Sequence, residues 1–243
     1  MRLAHIAMAT VAFALAPVSV VAGDLNENRV RELVLETIRE NPEIVMEAVA
    51  ILERRQAEAQ AAAQADVLSN QRQLLERDPN APVLGNPDGD VTVVEFFDYN
   101  CPYCRRVKPE VKAMIAADPN IRLVYREWPI LGDGSVFAAK AALAAREQGK
   151  YEEFHWAMME LKGRANETSV LRVAQEIGLD IEKLRKDMEA PEVQEHIDTS
   201  MRLTRALGLN GTPSFVIGEN LVAGFVERAE LEKHVADTRG GDN

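Results

Sequence analysis

Two cysteines stand three positions apart, as Cys101-Pro102-Tyr103-Cys104, and they are the only cysteines in 243 residues. Thiols at that spacing can close into a disulfide, exchange with a disulfide elsewhere, or hold a soft metal ion. Their surroundings rank these chemistries. Val91–Phe97 before them is a nearly unbroken run of β-forming residues, as in a strand buried on both faces. Residues 101–117 read as a helix, with Pro102 in the first turn, where its missing amide forfeits no bond. A helix N-terminus presents unpaired amides and the positive end of a dipole, and both favour a thiolate. That assigns Cys101 as the attacking sulfur with a lowered pKa. Cys104, one turn inward, becomes the sulfur that resolves a mixed disulfide.

Three other readings compete. An inert disulfide here would close a tiny ring and constrain the unfolded chain little. Half a zinc site needs two further ligands. Past the first residues, the chain offers only His155, His196 and His234, all in segments that read as helix surface or core. A metal shared between subunits, or Cu(I) on two thiolates, stays open. Redox chemistry leads because the pair sits between a buried strand and a helix.

The positioning elements follow in order. A strand over 121–128 and an Ala-rich helix over 135–148 come first. Helical segments follow over 151–162, 169–177, 181–188 and Pro191–Leu207. Gly211-Thr212-Pro213 is a turn, Ser214–Ile217 and 221–223 are strands about a turn at Glu219-Asn220, and 227–236 is a closing helix. This order predicts an α/β sheet with a helical insertion. The insertion is far longer than the ~10–12 residues a crossover needs.

The N-terminal part differs. Residues 1–22 combine Arg2, an apolar run and a small-residue end, and read as a cleaved export signal. Export would put the cysteines where disulfides persist. Residues 24–77 read as helical. Val30, Leu33, Val34 and Ile38 form one apolar stripe, and Ile44, Val45, Ala48, Val49 and Leu52 continue it after a restart at Asn41-Pro42. Residues 53–66 hold no aliphatic side chain larger than Ala and read as a polar helical spacer. An apolar stripe carried on a spacer asks for a surface, and a second copy of the chain is the simplest supplier. The alternative is that it folds back on the main domain. With 28 Lys and Arg against 39 Asp and Glu, the net charge of −11 argues against a nucleic-acid binder.

Val94-Glu95-Phe96-Phe97-Asp98-Tyr99-Asn100 leading into the cysteines, and Gly211-Thr212-Pro213-Ser214-Phe215 later, resemble the thioredoxin-like, DsbA-type periplasmic disulfide oxidoreductases. The resemblance covers about 83–236, with the helical insertion at about 135–207. The Asn41-Pro42-Glu43-Ile44 region with its Ala/Gln/Glu spacer is similar to the extension of the suppressor-of-copper-sensitivity C (ScsC) group. The resemblance implies a cis-proline at Pro213 facing the cysteines. The exposed Thr212 backbone beside it would pair with a substrate segment, and Pro102 and Tyr103 would also meet substrate. It implies that Glu95 lies beneath the cysteines and helps move the inner thiol's proton. The competing placement points Glu95 at solvent or at Arg126. Tyr103 stands where DsbA has His, and Thr212 precedes the proline as in several isomerases of the superfamily. Both departures lean away from a pure oxidase.

The expectation is therefore an exported, periplasmic thiol–disulfide oxidoreductase acting on cysteine-containing proteins. It leans to isomerase or reductase if a dimer or trimer forms through the N-terminal helices. The resemblance implies a membrane redox partner that recycles the pair, and no cofactor or resident metal. The alternatives are a monomeric oxidase, a copper-binding protein using the same sulfurs, and an oligomeric scaffold with an incidental disulfide.

Overall fold

A computed structural model of the chain describes residues 26–241, so the export signal lies outside the described residues. These residues form two compact units, divided between Arg55 and Gln56. The first unit holds α1 (Glu27–Glu40) and the start of α2 (Glu43–Ser69). The Asn26 side chain caps α1 by accepting from the Arg29 amide at 2.9 Å, and Asn41 closes it. No residue of α1 is buried, and in α2 only Val67, which belongs to the second unit, is. Val30, Leu33, Val34, Ile44, Val45, Val49 and Leu52 are all exposed.

The second unit is built on a five-stranded sheet in the order β1-β3-β2-β4-β5. Its strands are β1 (Val83–Gly85), β2 (Val91–Phe97), β3 (Ile121–Glu127), β4 (Ser214–Ile217) and β5 (Asn220–Ala223). β2 and β3 run parallel, which requires a crossover, and α4 (Pro102–Ala117) supplies it. The other pairings are antiparallel. Between β3 and β4 come α5 (Asp133–Ala145), a 3₁₀ turn at Arg146–Gln148, α6 (Tyr151–Met159), α7 (Glu167–Glu176), α8 (Ile181–Asp187) and α9 (Pro191–Leu207). α10 (Arg228–Gly241) ends the described chain. The mixed sheet with this insertion is the thioredoxin-like architecture with an N-terminal helical region.

Strand alternation sorts the central residues onto two faces. Val93, Phe97, Leu123, Tyr125, Phe215 and Ile217 join the cluster that contains Cys101, Cys104 and Val107. Val94, Phe96, Val124 and Val216 join a second cluster with Val67, Leu75, Leu203 and Leu207. The segment 56–77 thus contributes Val67 and Leu75 to the second unit's core. α3 (Arg72–Arg77) is a separate short helix at the end of the stretch read as helical over 24–77, and β1 is a strand that the sequence pattern leaves unread.

Arg126, fully buried on that second face, explains why 72–78 folds here. Its guanidinium donates to Asp78 Oδ2 at 2.7 Å and to the carbonyls of Leu74 and Leu75. Removing one partner of a buried charge is far more damaging than the pair's net worth. Asp78 is buried as well, so Asp78→Ala strands the Arg126 charge and is expected to destabilise the fold by about 3 kcal/mol. An unchanged midpoint in urea denaturation would show that the pair does not anchor α3.

Candidate active site

β2 ends at Phe97, and the loop after it is held by one carboxylate. Buried Asp98 accepts from the Asn100 amide at 2.6 Å, the Ser135 hydroxyl at 2.7 Å, and the Ile130 and Leu131 amides at 2.8 and 2.9 Å. Asn100 then reaches the insertion, donating to the Ala165 carbonyl at 3.2 Å and accepting from the Ala165 amide at 2.7 Å. Gly134 permits this approach, since a Cβ there would lie 2.1 Å from the Ala165 oxygen. Arg105 closes the ring by donating to the carbonyls of Tyr99, Leu161 and Gly163. The insertion and the sheet therefore both clamp the segment that enters the cysteine pair.

Cys101 is the N-cap of α4, with Pro102 in the first turn. Both sulfurs are reduced, and both residues are almost wholly buried. Tyr103 between them is exposed. The Thr212–Pro213 peptide is cis, and the Cys101 thiol donates to the Thr212 carbonyl at 3.1 Å. Pro213 is tied on the other side by the Gly224 amide, which donates to its carbonyl at 2.8 Å. The structure thus brings Cys101, Cys104 and Thr212 together, with Pro102 and Tyr103 at the helix start.

The two sulfurs are electrostatically unlike. Cys101 is lowered from 9.0 to about 5. Donation from the Cys104 thiol is the largest cause; burial opposes it, and the Thr212 side chain and the Cys104 and Tyr103 amides assist. The bond to the Thr212 carbonyl belongs to the protonated thiol alone, because a carbonyl cannot donate. Cys104 is pushed well above 9.0, first by burial, then by its bond to Cys101 and by Glu95. At neutral pH the pair is one thiolate beside one thiol. The Tyr103 side chain has no part in the Cys101 shift, so the helix end and the neighbouring thiol do this work.

Glu95 lies 2% exposed in the middle of β2. Its register partners are Tyr125 on β3 and Phe215 on β4, which face the cysteine cluster. Arg126 pairs in register with Phe96, on the opposite face, and is engaged by Asp78. The placement toward solvent or Arg126 is thereby excluded. Burial raises Glu95 from 4.5 to about 8, and the charge of Cys101 adds to it. The sequence reading missed the shell around it. The Tyr99 hydroxyl and His155 Nδ1 are 3.1 Å apart, and the His155 ring lies 4.2 Å from that of Tyr125. Burial, then Lys108 and Lys112, lower His155 to about 3, so it is neutral. His196 is buried beside Glu127, 2.7 Å from its Oε2. Among the described residues no group of three His, Cys, Asp or Glu could hold a metal ion.

A thiolate–thiol pair at a helix start, beneath a sheet that carries a buried carboxyl, defines a thioredoxin-like thiol–disulfide oxidoreductase. Residues 92–236 match the DsbA-like thioredoxin domain, and residues 27–59 match the N-terminal domain of the copper resistance protein ScsC. The chain belongs to the DsbA-like thioredoxin domain family. Among solved structures, a thioredoxin-like oxidoreductase from Silicibacter pomeroyi is 67% identical, with a TM-score of 0.69 over 70% of this chain and 98% of that one. A linker-deletion variant of Proteus mirabilis ScsC is 25% identical, with a TM-score of 0.67 over 92% of this chain and 99% of that one. Among curated relatives, the Na(+)/H(+) antiporter NhaA 3 of Salinispora tropica is 29% identical over 137 residues, 56% of this chain. The chain spans only about a fifth of that relative, 21% of its length. No helix among the described residues is long and apolar enough to cross a membrane.

Proposed function

We propose that the chain exchanges disulfides with cysteine-containing proteins in the periplasm, as an oligomer that isomerises or reduces them. The observation that carries this reading is the thiolate–thiol pair of Cys101 and Cys104 on the same face as buried Glu95. The Cys101 thiolate attacks a client disulfide, forms a mixed disulfide and releases one client thiolate, which takes a proton from water. For reduction, the Cys104 thiol loses its proton, attacks Cys101 Sγ and expels the second client sulfur. The dithiol is then oxidised by two electrons and the client reduced by two. For isomerisation, a second client thiolate attacks the mixed disulfide instead and Cys101 returns unchanged. Thr212 pairs with the client backbone, and exposed Tyr103, between the two cysteines, offers apolar contact. A membrane redox partner resets the pair after net reduction or oxidation.

Glu95 supplies the proton timing. The Cys101 negative charge helps hold its carboxyl protonated. Forming the mixed disulfide removes that charge, so Glu95 becomes more acidic and can act as a base for Cys104. The base appears at the step that needs one.

Oligomer formation rests on the exposed apolar side chains of α1 and early α2. Val67 and Leu75 belong to the second unit's core, so the informative truncation begins at Gln56 rather than after Arg77. The truncated protein is expected to be a monomer that keeps dithiol reductase activity and loses most unscrambling of a mispaired client. Light scattering and scrambled-client refolding check this, and undiminished unscrambling by the monomer would defeat the oligomer reading. A second reading, Cu(I) held by the same sulfurs, is favoured by the copper-resistance name of the matched N-terminal domain. Reduced Cys101→Ser protein that binds Cu(I) as tightly as the parent would remove it.

A further inference from the structure

The sheet edge carries a cavity that the cysteine chemistry leaves unused. It has a volume of about 420 Å³ and is walled by Ala81, Pro82 and Val83, with Arg77, Arg122 and Arg146 around it. None of the residues of the cysteine site lines it. That volume is within the ~300–1,000 Å³ typical of small-molecule sites.

Arg122 is 8% exposed, and its Nε and Nη1 are buried without a hydrogen-bond partner. A buried donor of this kind destabilises the fold unless something answers it. The nearby acids are Glu76 and Asp88, with Arg77 opposing. Glu76 is already bonded to Arg72 at 3.0 Å. The two acids that line the cavity are engaged as well. Asp78 accepts from Arg126 at 2.7 Å, and Glu152 from the Trp156 indole at 3.2 Å. Arg146 spends its guanidinium on the carbonyls of Pro79 and Asn80, and Arg77 donates to the Pro87 carbonyl at 3.3 Å. Three cations thus surround a partly apolar hollow; Glu76 and Asp88 act on Arg122 through space, but no carboxylate among the described residues hydrogen-bonds its Nε or Nη1.

We propose that this cavity binds a small organic oxyanion, with its carboxylate or phosphate against Arg122 and Arg77 and its apolar body on Ala81, Pro82 and Val83. Guanidinium groups suit such heads because planar N–H pairs match oxyanion geometry. A peptide fits less well. β1 is a sheet edge, but its three residues offer little for strand addition.

The test is a nuclear magnetic resonance titration of the full chain that follows the arginine Nε–H signals and the Val83 and Leu84 amides. Sodium succinate and sodium phosphate are the probes, and sodium chloride at matched ionic strength is the control. Saturable shifts from at least one probe, confined to these signals, support the proposal, and the tighter probe identifies the head group. Arg122→Met and Arg77→Gln should each weaken binding about tenfold, the equivalent of about 1.4 kcal/mol. If Arg122→Met loses its dispersed spectrum, exposed Arg77→Gln carries the test alone. Disulfide reductase activity of Arg77→Gln should match the parent. Shifts that stay linear and equal those of chloride overturn the proposal, as does unchanged affinity in the well-folded variants.

Discussion

Cys104→Ser protein is expected to accumulate covalently joined to its clients, while Cys101→Ser protein forms no adduct and reduces disulfides only at the uncatalysed rate. The asymmetry follows from the two sulfurs' environments. Lowering Cys101 from 9.0 to about 5 raises its thiolate fraction near neutral pH about a hundredfold. Intrinsic nucleophilicity falls with pKa at a Brønsted slope of about 0.4–0.5, which removes roughly forty- to a hundredfold over the same interval. The two effects nearly cancel in the attack. What survives is the leaving-group effect, because a sulfur with a low pKa is expelled readily from a mixed disulfide. Cys101 is thus tuned to let go. A client thiolate that attacks the client sulfur expels Cys101, whereas Cys104 attacks Cys101 Sγ and expels the client sulfur. Without Cys104, and without a client thiol in reach, the adduct stays.

The same pair separates the hydrogen bond from the covalent role. Donation from Cys104 is the largest influence holding Cys101 down. A serine hydroxyl keeps a donor there and an alanine does not. Alkylation of Cys101 by iodoacetamide should therefore shift to higher pH in Cys104→Ala and less so in Cys104→Ser. The reduced parent should gain stability from Cys101 as pH rises above its folded pKa, and lose that gain as pH falls back toward about 5. Equal alkylation profiles in both variants, or absence of an adduct in Cys104→Ser under non-reducing electrophoresis, would contradict this assignment.

The cysteine motif was legible because its chemistry and its local frame lie within a few residues of one another. Val91–Phe97 and Pro191–Leu207 carry enough period and length to be bounded from the sequence alone. Elements that depend on distant partners were not legible. β1 is three residues long and exists as a strand because β3 offers it a ladder. The helical character of 72–77 was legible but its docking was not, since α3 is held through Arg126, 48 positions after the Asp78 that follows the helix. The loop's organiser, Asp98, stood in the sequence only as one residue of the motif that leads into the cysteines. Its role lies in four donors drawn from Asn100, Ser135, Ile130 and Leu131. Glu95 was conspicuous as an acid in an apolar strand, yet its facing needed the register with Tyr125 and Phe215. Sequence periodicity gives alternation; only pairing says which face holds the sulfurs.

Glu95→Gln is expected to make the protein more stable and a poorer catalyst. In the parent, the folded carboxyl titrates at about 8 and the unfolded one at 4.5. Between those values the native state holds a proton that the unfolded state has lost. Stability therefore falls as pH rises through that window and levels off above it. At pH 7 the cost reaches about 3 kcal/mol, at about 1.4 kcal/mol per pH unit. Glutamine has no charge to bury, so the variant should be stabilised by up to that amount near neutral pH and by little near pH 4. Chemical denaturation at the two pH values reads the difference. Catalysis moves the opposite way, because glutamine cannot take the Cys104 proton, and Cys104 is itself pushed well above 9.0. Release of a preformed mixed disulfide should slow about 10²–10⁴-fold, the range for a lost general base. Its pH profile should follow the Cys104 thiol alone. Attack by Cys101 should change little, since burial of Glu95 protonated leaves that step without a charge to lose. If Glu95→Gln resolves mixed disulfides at the parental rate, the carboxyl is a buried relic of packing, and the proton of Cys104 leaves by another route.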